Sequence, residues 1–221
     1  TAFLYDVGND HAAIVRAARR QAVLWGVALG VLVFAWAWSL WGQGAAAMAV
    51  TLFALSPTTL AHGPLVTSDM SAAFTLTLAC WAWWRHLQAP SLGSLALSAG
   101  VAALAALAKF SAALLPPLFL LLAAWMLWRR PLWRLHAFGA RSLAGLLPRL
   151  AWIAVATVVH AAVAFAAIWA AFDFRYAAAS PDMPAMAQFY RLWSDAMPEG
   201  AIGRVLDAMR GAQVLPEPYL Y

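Results

Sequence analysis

Six apolar runs divide this chain, and most come close to the ~17–25 residues that a helix needs to cross a bilayer. They fall at Ala22–Trp41, Ala45–Ala61, Ser71–Trp84, Leu92–Ala108, Ala112–Trp128 and Leu150–Phe172. The run from Ser71 is the short one. The stretch from Leu92 to Trp128 is too long for a single crossing, so the chain must fold back near Lys109, Phe110 and Ser111. Pro116 and Pro117 then stand in the first turns of the returning helix, where a missing amide hydrogen costs least. Of the 221 residues 65% are hydrophobic and 10% charged, whereas ordinary globular domains carry about 45–50% apolar and about 25% charged residues. Too few charges remain to coat a soluble core of that size, so lipid must be the outer solvent. The expected fold is all-α, a polytopic transmembrane helical bundle of about six membrane helices over residues 1–172. Residues 173–221 hold six of the nine acids, and they read as an extracytoplasmic loop with short amphipathic helices.

The net charge of +5 comes from 13 arginines and one lysine, set mostly at the ends of apolar runs. That placement suits lipid headgroups better than nucleic acid. Cys80 is the single cysteine and lies within an apolar run, which excludes a disulfide framework or a cysteine metal site. Arg129, Arg130, Arg134, Arg141 and Arg149 crowd one loop without an acid, and Arg85 falls on the same side. Trp36, Trp38, Trp41, Trp81, Trp83, Trp84, Trp125, Trp128, Trp133 and Trp152 gather on that face as an interfacial belt, which places it in the cytoplasm. The His62–Asp69 loop, the Lys109 turn and the tail after Phe172 then share the opposite, outer face. The chain begins at Thr1 and stops abruptly at Tyr221, and both ends read as cuts in a longer protein.

Ionisable residues at membrane depth mark sites or pathways, and three stand out. Asp69 ends the polar stretch PTTLAHGPLVTSD (Pro57–Asp69) and reads either as a helix cap shared with Thr67 and Ser68 or as a carboxylate facing a polar cavity. There it would bind a metal ion, orient a hydroxyl or act as a base. Lys109 either snorkels to the interface or neutralises a lipid-borne phosphate. His62 is a polar residue at a helix end or a phosphate or metal contact. His160, amid Val and Ala, reads as a buried hydrogen-bonded group, and Asp10 as a helix cap. Asp173 and Arg175, in FDFRY, pair with each other or with a charged ligand. Gly26 and Gly30 have the small-xxx-small spacing of close helix packing. The sequence has no G-x-S-x-G elbow, HExxH pair, phosphate-cradling glycine loop or CxxC.

Four stretches together resemble one family: FLYDVGNDHAAIVRAAR (Phe3–Arg19), LSPTTLAHGPLVTSDMSAAF (Leu55–Phe74), LAALAKFSAALLPP (Leu104–Pro117) and FDFRY (Phe172–Tyr176). The chain is similar to bacterial members of the protein O-mannosyltransferase-like group of GT-C glycosyltransferases, the polyprenyl-phosphate-dependent family 39 type. The resemblance implies an enzyme of the bacterial cytoplasmic membrane, with its active site facing the periplasm or outside. It would move a sugar from a polyprenyl-phosphate carrier to a protein, lipid or glycan acceptor. It also implies that the family's principal acidic motif, in a first outer loop after a first helix, would precede Thr1. This chain would then lack its catalytic base. Residue by residue, Asp69 takes the place of the family's second outer-face acid, positioning the acceptor or a divalent metal ion, and Lys109 that of the lysine for the carrier phosphate. His62 and Arg175 are further substrate contacts. The rival readings are a transporter or flippase of a lipid-linked or anionic substrate and an assembly subunit.

Overall fold

The computed structural model describes residues 8–129, 132–135, 141–177 and 192–221. Each apolar run lies in one or two helices. Helix α1 (His11–Trp41) is opened by Asp10, whose carboxylate accepts the amide hydrogen of Ala13 at 2.9 Å, the capping role its position suggests. It closes at Gly42, whose φ of 83° is easily reached only without a Cβ. The chain returns through α2 (Gln43–Leu55) and the short α3 (Pro57–His62), with Pro57 in the first turn. Next come α4 (Asp69–Gln88) and α5 (Leu92–Ala108), the latter started by a reciprocal Ser91–Ser94 capping box. A 3-10 turn (Phe110–Leu114) leads into α6 (Leu115–Arg129), with Pro116 and Pro117 in its first turn, and α7 (Leu146–Ala171) is the last long helix. The tail carries α8 (Trp193–Ala196), α9 (Ala201–Gly211) and α10 (Glu217–Leu220).

One expectation changes. The arginine loop holds a two-stranded antiparallel ribbon, β1 (Leu132–Leu135) against β2 (Arg141–Ala144), with Leu132 opposite Ala144. Apart from this ribbon the regular secondary structure of the described residues is helical. Among the described residues three segments are long and apolar enough by themselves to cross a membrane, His11–Trp41, Phe110–Arg129 and Leu146–Ala171, where about six are expected. Gln43–Leu55 and Leu92–Ala108 are apolar but shorter. Asp69–Gln88 has the length, but Asp69, Arg85 and His86 make its ends polar. Phe3–Val7 of the first family-like stretch, Arg130, and the side chains of Trp133, Arg134 and Arg141 lie outside the described residues.

The centre of the bundle is built on α4, α5, α6 and α7. Trp83, Leu87, Leu95, Ala123, Met126, Ile153 and Ala156 form one buried cluster, and Ala79, Val101, Ala102, Ala105 and Leu115 a second. The alanines let helix backbones approach closely where no hydrophobic effect drives them together. Gly26 and Gly30 serve the same end on α1. A Cβ on Gly26 would stand 3.3 Å from Met70 Cε, and one on Gly30 3.2 Å from Phe53 Cε1, so this spacing packs against α4 and α2 of the same chain. Outward, Val31, Leu121 and Val158 are more than 60% exposed, an inside-out pattern that lipid accommodates and water does not.

The tryptophan belt holds only in part. Trp41 and Trp128 are exposed, and the Arg129 guanidinium lies 5.1 Å from the Trp125 ring, but Trp83 is 2% exposed. Its indole N–H donates to the Phe119 carbonyl at 2.9 Å, which satisfies its one polar atom inside the bundle. Arg149 is also buried rather than at the headgroups; its Nε donates to the Gly145 carbonyl at 2.8 Å and Nη1 to the Leu127 carbonyl at 3.3 Å, tying the start of α7 to the end of α6.

His160 is the buried, hydrogen-bonded group its neighbours suggest. Its Nδ1 lies 2.7 Å from the Ala156 carbonyl, which can only accept, so Nδ1 carries the proton and Nε2 accepts from the Ser98 hydroxyl at 2.9 Å. The same logic applies to His86, where the Trp152 N–H donates to Nε2 at 3.1 Å and Nδ1 donates to Ser94 Oγ at 2.8 Å. Both histidines thus sit as satisfied neutral rings. Ser98→Ala strips His160 Nε2 of its donor and is expected to cost about 1 kcal/mol. Thermal unfolding in detergent checks this; a variant as stable as the native protein would show that the bond contributes nothing.

Candidate active site

The polar groups at one end of the bundle are brought there by helix breaks. α3 stops at His62, and Asp69 is the first residue of α4. α5 stops at Ala108 because Lys109 adopts an extended backbone (φ −167°, ψ 150°) before the 3-10 turn begins. α4 and α5 run antiparallel, so the start of one and the end of the other meet.

There the Lys109 ammonium donates to Asp69 Oδ1. The Thr67 hydroxyl donates to Asp69 Oδ2 at 3.0 Å, and His62 Nδ1 lies 3.8 Å from the same oxygen, near enough for charge but not for a hydrogen bond. The three side chains of Asp69, Lys109 and His62 are 40–48% exposed, so water and solutes reach them. The helix-cap reading of Asp69 is not what forms, since no side chain at this end of α4 accepts an amide hydrogen. Asp69 instead lies in the first turn, where the positive end of the helix favours a carboxylate. Ahead of the apolar run that starts at Ser71, the hydrogen bond from Lys109, then that from Thr67 and then the Lys109 charge hold the Asp69 carboxyl below the usual carboxylate range.

An apolar groove of about 560 Å³ opens between α1, α2, α3 and α4, lined by Gly26, Gly30, Phe34, Phe53, Leu60 and Met70 among others. At its polar end stand Gly63 and Pro64, directly after His62. A greasy channel and a charged mouth therefore adjoin. As a metal site the mouth is poor. Among the described residues no three His, Cys, Asp or Glu side chains converge. One Asp69 oxygen already takes the Lys109 ammonium, whose charge opposes a second cation.

Arg175 is not part of this cluster. Its guanidinium pairs with Asp173 at 3.2 Å, with both side chains more than three-quarters exposed. Asp173 and Phe174 hold φ of 53° and 56°, left-handed values uncommon for residues with a Cβ. They close α7 through the Phe174 N–H to the Trp169 carbonyl at 2.9 Å. Sequence reasoning missed Tyr219. Its phenol donates to the Ala106 carbonyl at 3.0 Å, and its ring sits 5.6 Å from Phe110 and 6.3 Å from Phe172, so the tail rests beside the Lys109 segment. Burial pushes that phenol up, which keeps it a neutral donor. An aromatic in a polar tail carried no signal for this docking. The groove had only the glycine pair as its sequence trace.

The lowered Asp69 pKa sets a pH dependence with a definite sign. A carboxylate held low contributes stability above the ordinary carboxylate range and loses it as pH falls through the lowered value. The advantage of the native protein over Asp69→Asn is expected to be constant near neutral pH and to vanish in acid. Unfolding midpoints in detergent at stepped pH measure it; no difference at neutral pH would contradict the ion-pair account.

The sequence model of the family described as dolichyl-phosphate-mannose-protein mannosyltransferase matches residues 8–152, more than half of the chain. The match spans Asp69, Lys109, His62 and the groove, and ends before FDFRY. No curated protein and no solved structure matches the chain.

Proposed function

Since the chain belongs to the dolichyl-phosphate-mannose-protein mannosyltransferase family, we propose that it acts as a membrane glycosyltransferase that takes a sugar, mannose by the family's description, from a polyprenyl-phosphate carrier at the Asp69–Lys109 mouth. The observation that carries this reading is the junction of that mouth with the apolar groove. A lipid-phosphate sugar has the same division, a long hydrocarbon joined to an anionic, hydroxyl-rich head.

In this reading the carrier's hydrocarbon lies along Gly26, Gly30 and Phe53 and its phosphate reaches Lys109. The phosphate competes with Asp69 for the ammonium, so donor binding releases the carboxylate. Asp69, steadied by Thr67, then orients the acceptor hydroxyl. The hydroxyl oxygen forms a bond to the anomeric carbon, the bond from that carbon to the phosphate oxygen breaks, and the phosphate keeps the electron pair. The hydroxyl proton passes to a carboxylate base. Lys109 opposes the charge that grows on the leaving phosphate. His62 adds a second contact to the anionic head, and Arg175, on the tail, meets the acceptor or donor once it leaves Asp173. We assign the mouth to the extracytoplasmic face, because an arginine-rich loop at the far end suits the cytoplasmic side, and in this reading the shorter helices Gln43–Leu55 and Leu92–Ala108, with Asp69–Gln88, cross together with the three long ones. Residues 1–172 then form the membrane body and residues 173–221 an outer cover. A protein, lipid or glycan acceptor fits the open mouth.

A transport route is less well supported. In the interior between α4, α6 and α7 the rings of Trp83, Phe119 and His160 contact one another at 5.1–5.4 Å around an apolar cavity of about 240 Å³, and the charges stand at the two ends of the bundle rather than along a path through it.

Asp69→Asn and Lys109→Ala, tested in the full-length protein with a polyprenyl-phosphate mannose, are expected to cut transfer by roughly 100-fold or more while membrane insertion is unchanged. Normal turnover in both would remove the site assignment. Ala54→Phe, which fills part of the groove, is expected to raise KM for a long-chain carrier more than for a short-chain one; equal effects would detach the groove from the carrier.

A further inference from the structure

Helix α9 is built the wrong way round for a helix lying on a protein in water. Ile202, Val205, Leu206 and Met209 follow the i, i+3, i+4, i+7 spacing that puts them on one face. Asp207 and Arg210 lie on the other. It is the polar face that the protein holds. The Trp193 indole donates to Asp207 Oδ1 at 2.6 Å, and the Arg210 guanidinium lies 4.5 Å from the Trp193 ring. Arg210 Nε donates to Glu217 Oε1 at 2.8 Å, and the Tyr176 hydroxyl donates to the Arg210 carbonyl at 2.8 Å. The apolar face points away, leaving Ile202 67% and Val205 57% exposed.

We propose that this outward face is a membrane-docking surface, seated in the headgroup and acyl boundary of the leaflet on the active-site side. Two anchors set its depth. Just past α9, the Val214 carbonyl accepts from the Trp169 indole at 3.2 Å, in the last turns of the membrane-crossing α7, and Tyr219 is bonded to Ala106 near the end of α5. Phe110, Leu114 and Phe174 stand 59–71% exposed at the same end, so the face continues the lipid-facing surface of the bundle. A second copy of the chain is a poor occupant. Two strongly exposed and two half-covered side chains fall well short of the ~800 Å² per partner of a standard interface. The docked helix would fix the tail beside Lys109 as a cover anchored in lipid.

This inference stands apart from the transferase reading, and its test needs no turnover. Ile202→Cys, Val205→Cys and, as a water-facing reference, Glu199→Cys are made in the full protein with Cys80→Ala. Each is spin-labelled and reconstituted in phosphatidylethanolamine and phosphatidylglycerol vesicles. Labels at 202 and 205 are expected to be open to oxygen and shielded from a water-soluble nickel chelate, with the opposite at 199. Nickel access at 202 and 205 in vesicles would overturn the proposal by placing the face in water. Shielding from both reagents, in vesicles and detergent alike, would overturn it by showing protein over the face.

Discussion

Lys109 meets Asp69 across 40 residues of sequence, and the arrangement of the site end follows from that contact. Either group alone at a bilayer rim is costly; together, and with the Thr67 hydroxyl, they satisfy one another while still reaching water. The pairing requires the start of α4 and the end of α5 to lie side by side. That follows from the alanine-lined seam of Ala79, Val101, Ala102 and Ala105, which brings the two helices close enough. A bulkier seam would separate the charges and leave two unpaired ions.

Polarity in the bundle is sorted by depth. Most charged groups stand at the ends, where water and headgroups compensate them, while the buried Arg149 is compensated by the Gly145 and Leu127 carbonyls. The two buried histidines are neutral groups with complete partners, His160 with Ser98 and the Ala156 carbonyl, and His86 with Trp152 and Ser94. Those bonds lock the tautomers and hold α4, α5 and α7 in register. A rigid interior of this kind positions a chemical site at its rim, where the groove from lipid and the mouth from water converge.

The tail follows a different rule. Its internal contacts centre on Arg210 and Glu217, and among the described residues it is tied to the bundle by hydrogen bonds of Trp169 and Tyr219 and by the Tyr219 ring beside Phe110 and Phe172. A segment so attached gains from a third support, and the outward apolar face of α9 offers one.

The run lengths and the scarcity of charge were enough to read helices, a lipid solvent, the turn at Lys109, the cap at Asp10 and the packing role of Gly26 and Gly30, because each depends on local spacing or on overall composition. Asp69, Lys109 and His62 were also legible one by one, as rare ionisable residues beside apolar runs. That they form one cluster, that Arg175 stands apart, that Trp83 and Arg149 are buried and that Tyr219 covers the Lys109 segment were decided only by tertiary structure. Each of these depends on which helix ends meet, and hydropathy is blind to that: it records how strongly a residue avoids water, not which neighbour replaces the water.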